Sequence, residues 1–393
     1  MRRLKNISAV IVALFFTSVI TAQTTGSTVF ESGTEGHKTY RIPAIVQLPN
    51  KNLLAFCEGR VHGSGDFGDI NIVLKKSTDG GATWSALSTV VDYNNLQAGN
   101  PAPVVDLTDP RYPKGRVFLF YNTGNHDEYS MRMGKGIREV WYVTSVDGGE
   151  TWSNPINITT QVHRPNQPGI NEAYTFKEDW RTYANTPGHA TQFTSGNYEG
   201  RIYVAANHSS GPPQKNFEDY NAHGFYTDNH GESFSTSASI VLPGSNEATA
   251  ATLSNGKLIL NARNQAGTVR YRYVSFSDDG GATWKENYFD TSLIDPVCEG
   301  SILEIGQKKG KTILAAKQIE AIDTLGAGDA FIAAYLAARL KKIPRDEAII
   351  SAVNYSAEVC LQHGAYGYRS MDNLPKIDSQ KLQDSSKPTW VNQ

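Results

Sequence analysis

Short apolar runs separated by turn-forming residues dominate the chain from residue 28 to about residue 312. The runs are four to seven residues long, are bounded by Gly, Asn, Pro or Asp, and include residues 117–121, 140–143, 201–205 and 257–260. Such lengths and boundaries are typical of β-strands, and apolar spacing with a 3.6-residue period is not sustained over a helical length in this region. The pattern therefore predicts a mainly β region.

An eight-residue turn recurs within this region. The pattern S-x-D-G-G-x-T-W occupies residues 77–84, 145–152 and 277–284, and a degenerate copy occupies residues 227–234. The aspartate can accept backbone N–H bonds inside the turn, the glycines can adopt positive φ, and the final aromatic ring can pack between sheets. Because one frame returns several times, we predict radially packed sheets, as in a β-propeller, and interpret the turns as structural.

Helical periodicity is confined to the C-terminal part of the sequence. Residues 332–340 have helical apolar spacing, and Pro344 followed by acidic and basic residues predicts a second helix running to about residue 362. The chain therefore divides into a β region at residues 27–312, a helical segment at residues 316–385 and a polar tail at residues 386–393.

Charge and the N-terminal residues limit the partners and the compartment. The 393 residues carry a formal net charge of -2, which gives no reason to expect nucleic acid as a partner. Basic residues at the start precede an apolar run at residues 7–20 and a small residue at Ala22, as in a secretory signal. We predict that residues 1–22 are removed during export to the periplasm or extracellular space, without stable membrane insertion afterwards; an uncleaved anchor is the alternative.

Two residues near the start of the β region are candidates for binding and proton transfer. Arg41 lies in Tyr-Arg-Ile-Pro, where Pro43 removes a ladder donor and marks a strand end or edge. A guanidinium at such a position suits a carboxylate ligand, because its planar fork of donors matches two oxygens. Asp66 lies in Gly-Ser-Gly-Asp-Phe-Gly-Asp, which is too rich in glycine for a strand and predicts a loop acid beside the next strand.

These motifs resemble the sialidase (neuraminidase) family over about residues 27–312. The repeated turns are similar to its Asp boxes, or BNR repeats, residues 40–43 to its arginine-proline motif, and residues 53–60 with the following loop to its acid-bearing segment. The resemblance implies a six-bladed β-propeller and retaining exo-α-sialidase hydrolysis of terminal sialic acids on glycoconjugates, with no metal or cofactor. Residues 27–312 supply four to five blades, so we predict an incomplete propeller.

The resemblance also assigns roles to individual residues. Asp66 corresponds to the general acid and base, and Glu247 to the glutamate that polarises a nucleophilic tyrosine. A tyrosine suits this chemistry because the substrate carboxylate would repel an anionic nucleophile. The substrate-binding positions that the resemblance indicates are Arg41 and Arg263 for the carboxylate, Asn100 for the sugar's 4-hydroxyl, and Glu58 and Arg60 as supports for the pocket.

Beyond residue 312 the sequence departs from this family. The third arginine and the tyrosine are not found in a matching motif, so sialidase activity is predicted to be low or lost, and a catalytically inactive, lectin-like sialoside-binding propeller is the alternative. Residues 316–385 resemble the C-terminal segment of ribokinase-type sugar kinases, in which Asp329 would be the base and Gly326, Ala327 and Gly328 the anion hole. A sugar kinase is therefore a further alternative. The foreign C-terminus is explained either by a gene fusion or by an erroneous joining of two reading frames.

Overall fold

The computed structural model describes residues 28–267, 269–303, 334–335, 338 and 343–359. Within these ranges the chain is mainly β, which confirms the predicted fold class for the first part of the sequence. The predicted secretory signal at residues 1–22, the kinase-like motif at residues 326–329 and the polar tail at residues 386–393 lie outside the described residues.

The first eight strands form two antiparallel units, which we name sheet 1 and sheet 2. A single parallel pairing between Ile70 and Gln97 joins the two units. The strands of sheet 1 are β1 (Thr39–Gln47), β2 (Leu53–Arg60), β3 (Ile70–Ser77) and β4 (Ser88–Val91). The strands of sheet 2 are β5 (Gln97–Asp106), β6 (Arg116–Gly124), β7 (Arg138–Ser145) and β8 (Ile156–Asn157).

Two further antiparallel units, sheet 3 and sheet 4, follow in the chain. The strands of sheet 3 are β9 (Trp180–Asn185), β10 (Thr191–Gln192), β11 (Ile202–Ser210), β12 (Tyr220–Thr227) and β13 (Ser235–Thr236). The strands of sheet 4 are β14 (Ser245–Thr252), β15 (Leu258–Asn264), β16 (Tyr271–Ser277) and β17 (Asn287–Ile294). In sheets 1, 2 and 4 the strands pair largely in chain order. This order is favoured because short connections join antiparallel neighbours.

Helices are few in the described part of the chain. They are α1 (Glu128–Arg132), α2 (Thr159–Val162), a 3-10 turn (Lys215–Phe217) and α3 (Arg345–Val359). The Asp127 side chain caps α1 by accepting a hydrogen bond from the Ser130 backbone N–H, which satisfies one of the unpaired donors of the first turn. Among the described helices, none has the length and apolar character needed to span a bilayer.

Apolar side chains pack between successive sheets. Phe56 and Leu74 of sheet 1 meet Leu119 of sheet 2 in one buried cluster, and Phe120 of sheet 2 meets Phe225 of sheet 3 in a second. A third cluster joins sheet 3 to sheet 4 through residues that include Tyr203 and Leu260. Face-to-face burial of this kind is the principal stabilising term, because each apolar face is removed from water by the neighbouring sheet.

The repeated turns share one hydrogen-bond pattern, as predicted. In the first copy the Asp79 carboxylate accepts bonds from the Thr83 backbone N–H at 2.9 Å and from the Thr83 hydroxyl at 2.6 Å, and the Ser77 hydroxyl accepts the Gly81 N–H at 2.8 Å. These bonds, first of all the one from the Thr83 hydroxyl, lower the pKa of Asp79 to about 2. In the degenerate copy the Asn229 amide oxygen accepts the Ser233 N–H, so an uncharged group fills the same role.

The second glycine of the turn has the same backbone conformation in two copies but a different amount of space around it. Gly81 and Gly281 occupy equivalent positions with φ of +89° and +91°. A methyl group on Gly81 would lie 3.6 Å from the nearest atom, on Leu53, whereas one on Gly281 would overlap the Tyr203 ring. Both sites need positive φ, but only Gly281 also lacks space for a side chain.

We predict that Gly281→Ala lowers the free energy of unfolding by about 2 kcal/mol more than Gly81→Ala. The backbone penalty is common to both substitutions, so the difference reports the overlap with Tyr203. Guanidinium denaturation of the two variants measures it. Equal losses of stability would contradict the packing described here.

Sheet 3 buries three histidines against aromatic rings. His208 and His223 lie on adjacent strands with their Nδ1 atoms 3.1 Å apart, and the Trp180 ring stacks on His208. His163 is fully buried beside Tyr183. Loss of hydration lowers the pKa of His163 and of His208 well below the ordinary value, and lowers the pKa of His223 to about 3. The folded protein therefore holds these rings neutral.

We predict that the protein loses stability as the pH falls below about 6.5. The unfolded chain binds protons on these histidines near that pH, whereas the folded chain does not until much lower pH. Stability is therefore complete above pH 6.5 and is lost towards pH 3, by at most about 1.4 kcal/mol per pH unit for each histidine. Guanidinium midpoints between pH 7 and pH 5 measure this slope.

His223→Asn should make that slope shallower, whatever its effect on stability at pH 7. His62→Gln provides the matched control, because the His62 side chain is 80% exposed and its replacement removes a histidine without disturbing the buried rings. A slope that is the same in wild type and His223→Asn would contradict the assignment.

Candidate active site

Three of the candidate residues, Arg41, Asn100 and Glu247, lie on the first strands of sheets 1, 2 and 4, and each of those strands carries an irregularity. The strand registers shift between Arg41 and Ala44 in β1, between Gly99 and Ala102 in β5, and between Ser245 and Ala248 in β14. Such bulges re-aim a side chain out of the alternating pattern of the strand. Proline follows two of these positions, as Pro43 and Pro101, and removes an N–H from the ladder.

The backbone at two of the bulges is left-handed. Ile42, next to Arg41, has φ of +57°, and Asn100 has φ of +53°. For the β-branched Ile42 this conformation is strained, and strain of this kind is concentrated at functional sites. The Tyr-Arg-Ile-Pro and Asn-Pro motifs thus mark positions where the chain departs from regular strand geometry.

Arg41 and Asp66 form an ion pair at the end of sheet 1. Nη1 of Arg41 lies 2.8 Å from Oδ1 of Asp66, and Nη1 of Arg60 lies 2.8 Å from the same oxygen. Partial loss of hydration raises the pKa of Asp66, but the charges of Arg60 and Arg41 outweigh this effect, so its pKa is lowered from 3.8. Asp66 is therefore held as an anion in this arrangement.

A buried ion pair lies behind these residues. Arg60 binds Oε2 of Glu58 through Nε at 3.0 Å and Nη2 at 2.6 Å, and the two side chains are 3% and 1% exposed. The other Glu58 oxygen accepts the Asn100 backbone N–H at 2.9 Å, which ties sheet 2 to sheet 1. The sequence predicted Glu58 and Arg60 as supports of the pocket. In the structure Arg60 contacts Asp66, and Glu58 contacts Asn100.

Two contributors to this cluster were not predicted from the sequence. A methyl group on Gly99 would lie 2.5 Å from Oε1 of Glu58, so glycine is what allows the carboxylate to approach the Asn100 amide. Arg138, buried on β7, adds a further positive charge that lowers the pKa of Asp66. Neither residue lies in a recognisable motif, because both act through neighbours that are distant in the sequence.

Glu247 and Arg263 form a separate cluster in sheet 4. Nη1 of Arg263 lies 2.8 Å from Oε2 of Glu247, and Nη2 donates to the Asn246 amide oxygen at 2.9 Å. The same Asn246 oxygen accepts the Glu247 backbone N–H, so Asn246 orients both partners. Both charged side chains remain partly exposed. Within residues 28–267 and 269–303, no hydrogen bond or ion pair joins this cluster to Arg41 and Asp66.

Two tyrosine–glutamate pairs lie elsewhere in the structure. The Tyr220 hydroxyl donates to Glu128, and the Tyr174 hydroxyl donates to Glu139. Burial, together with the neighbouring carboxylate, raises the pKa of both phenols. Both tyrosines are buried, and neither is hydrogen-bonded to a candidate catalytic residue within the described part of the chain.

One cluster contains enough side chains to hold a metal ion. Ligand atoms of Asp106, Asp109 and His230 lie within 4.8 Å of one another between sheets 2 and 3. Asp109 is already bound by Arg111 and Arg116, and the ring of His230 contacts Asp106 at 2.8 Å. The charges of this cluster are thus matched by protein groups, and it contacts none of the candidate catalytic residues.

The chain is similar in sequence to known sialidases. The sequence model of the BNR repeat-like domain matches residues 30–340. The chain is 30% identical over 292 residues to the sialidase of Micromonospora viridifaciens, covering 69% of this chain and 40% of that protein. It is 27% identical to the sialidase of Paraclostridium sordellii and 28% identical to the exo-alpha-sialidase of Arthroderma benhamiae, covering 69% and 68% of this chain. The chain spans 64% and 60% of those two proteins.

Solved structures show the same fold. The Hadza microbial sialidase Hz136 superposes with a TM-score of 0.55 at 24% identity, covering 68% of this chain and 50% of that one. The leech intramolecular trans-sialidase superposes with a TM-score of 0.51 at 16% identity, covering 68% and 53%.

We predict that Glu58→Gln lowers the free energy of unfolding by about 3 kcal/mol, because it leaves the buried Arg60 charge without its partner. The matched control is Glu150→Gln, which removes a carboxylate paired with Lys76 at the surface and should cost at most about 1 kcal/mol. Urea denaturation of both variants measures the difference. A loss for Glu58→Gln no larger than for Glu150→Gln would show that the buried pair is not needed for stability.

Proposed function

This chain belongs to the sialidase family marked by the BNR repeat-like domain, a family of glycoside hydrolases, and from that premise we propose that it binds terminal α-linked sialic acids of glycoconjugates. The reaction for which the site is built is exo-hydrolysis with retention at the anomeric carbon. The observation that carries this proposal is the position of Arg41, which lies at a strand bulge and forms an ion pair with Asp66.

The carboxylate of the sugar is bound by Arg41 and Arg263. Each guanidinium is partly exposed, and each is already paired with a carboxylate of the protein. A guanidinium that binds one carboxylate can bind another in the same geometry. Asn100 lines the pocket for the 4-hydroxyl, and the Glu58–Arg60 pair keeps the strand ends in place.

Proton transfer falls to Asp66, first as acid towards the leaving oxygen and then as base towards water. Glu247 acts as the base towards a nucleophilic hydroxyl. Because no matching motif supplies the family's tyrosine or third arginine, we expect turnover well below that of a complete sialidase. The reaction needs neither metal nor cofactor, since the retaining mechanism uses only side chains and water.

A lectin-like function is the second candidate. Two arginines hold Asp66 as an anion, and no matching motif supplies the family's tyrosine. Both features favour binding of an acidic sugar over its hydrolysis. In either case we propose that the protein is exported, that its ligands are sialylated glycans, and that its propeller has fewer than six blades.

Arg41→Ala should weaken the binding of sialyl-lactose roughly thirtyfold, which corresponds to loss of one charged contact worth about 2 kcal/mol. Calorimetry measures the affinity, and release of a fluorophore from a sialoside measures turnover. Arg111→Ala is the control, since Arg111 is half-exposed and bound to Asp109 and Glu232.

The two candidate functions differ in the second assay. Slow fluorophore release that Arg41→Ala abolishes supports the hydrolase, and binding with no release supports the lectin-like protein. If wild type neither binds sialyl-lactose nor releases the fluorophore, the proposed function is wrong.

A further inference from the structure

The loop at residues 61–69 is fastened to two arginines through one carboxylate and its backbone. Oδ1 of Asp66 accepts hydrogen bonds from both Arg41 and Arg60. The carbonyl of Ser64 accepts from Arg60 at 2.6 Å and from Arg41 at 3.4 Å, and the carbonyl of Gly65 accepts from Arg60 at 2.9 Å. Asp66 thus bridges two guanidinium groups.

The two arginines differ in what else holds them. Arg60 is 3% exposed and has a second carboxylate partner in the buried Glu58. Arg41 is 19% exposed, and Asp66, which is 77% exposed, is its only carboxylate partner among the described residues. Ion pairs at the surface are weak because water competes for both groups. The contact between Arg41 and Asp66 is therefore the part of the bridge that another anion can replace.

The loop that carries Asp66 has open space beside its backbone on either side of that residue. A methyl group on Gly63 or on Gly68 would meet no atom within 4 Å, so the chain is not packed at either position. Gly68 also has φ of +138°, which favours glycine. Asp66 lies between these two positions, on the exposed side of the loop.

We propose that Asp66 occupies, in the resting protein, the position on Arg41 that the carboxylate of an acidic sugar takes on binding, and that this exchange makes proton transfer depend on the sugar's own charge. The inference rests on the proposed function. It adds a source of selectivity that acts at Asp66 as well as at the carboxylate-binding arginines.

The charges explain how the exchange would select its ligand. While Arg41 and Arg60 both face Asp66, the carboxyl stays ionised and has no proton to give. A bound carboxylate neutralises Arg41 and places a negative charge near Asp66, and both changes favour protonation of Asp66. A neutral sugar brings no charge, so Asp66 remains paired and ionised. An acidic sugar therefore supplies a condition for general acid catalysis that a neutral sugar cannot supply.

The test uses the intact chain and N-acetylneuraminic acid, with Asp66→Asn as the principal variant. Asparagine keeps the size of the side chain but cannot neutralise Arg41. We expect Asp66→Asn to bind the ligand about fivefold more tightly than wild type, because the internal competitor is lost. Asp69→Asn is the matched control: it removes the same charge from the same loop, makes no contact with Arg41 in the described structure, and should bind like wild type.

A second readout measures the proton directly. Calorimetry at pH 5 in buffers of different ionisation enthalpy gives the number of protons taken up on binding. We expect uptake by wild type and by Asp69→Asn, and none by Asp66→Asn.

The outcomes separate this inference from the proposed function. Equal or weaker binding by Asp66→Asn, or the same proton uptake in all three proteins, overturns the exchange and leaves the proposed function standing. No binding by any of the three proteins overturns both.

Discussion

The Glu58 carboxylate is the group on which the candidate site depends. One of its oxygens holds the Arg60 guanidinium, which in turn holds the Asp66 loop, and the other accepts the backbone N–H of Asn100 in the next sheet. A charge buried to this degree is stable only with its partners in place, so the geometry of Glu58, Arg60 and Asn100 is maintained together. The exposed candidate residue Asp66 is thus positioned by a buried ion pair.

The same arrangement recurs between the other sheets in uncharged form. The Asn122 side chain of sheet 2 accepts the backbone N–H of Asn185 in sheet 3, and the Ser245 hydroxyl of sheet 4 accepts the N–H of Ala222 in sheet 3. Irregular strand ends leave backbone donors without a ladder partner, and a side chain from the adjacent sheet satisfies them. At the bulge in β5, for example, Glu58 of sheet 1 accepts the Asn100 backbone N–H.

The positions of the two arginines illustrate how charge organises the site before any ligand arrives. Arg41 and Arg263 are each bound by a carboxylate of the protein, Asp66 and Glu247 respectively. A partly buried guanidinium loses hydration, and an internal carboxylate offsets the cost of that loss with a charge-assisted contact. The family resemblance assigns catalytic roles to the same two carboxylates, so under the proposed function binding and proton transfer would share one set of groups.

The sequence alone determined the strand pattern, the repeated turns and the motif positions of the candidate residues, because these features depend on local spacing: short apolar runs bounded by turn residues, positive-φ glycines and proline next to a candidate side chain. It did not determine which side chains meet. Gly99, Asn246 and Arg138 carry no motif, and their contributions follow from contacts across strands and sheets. The pairing of Asp66 with both Arg41 and Arg60 likewise depends on how the 61–69 loop folds back over β1 and β2. Contacts between distant segments are set by the packing of whole sheets, and that packing was decided only in the tertiary structure.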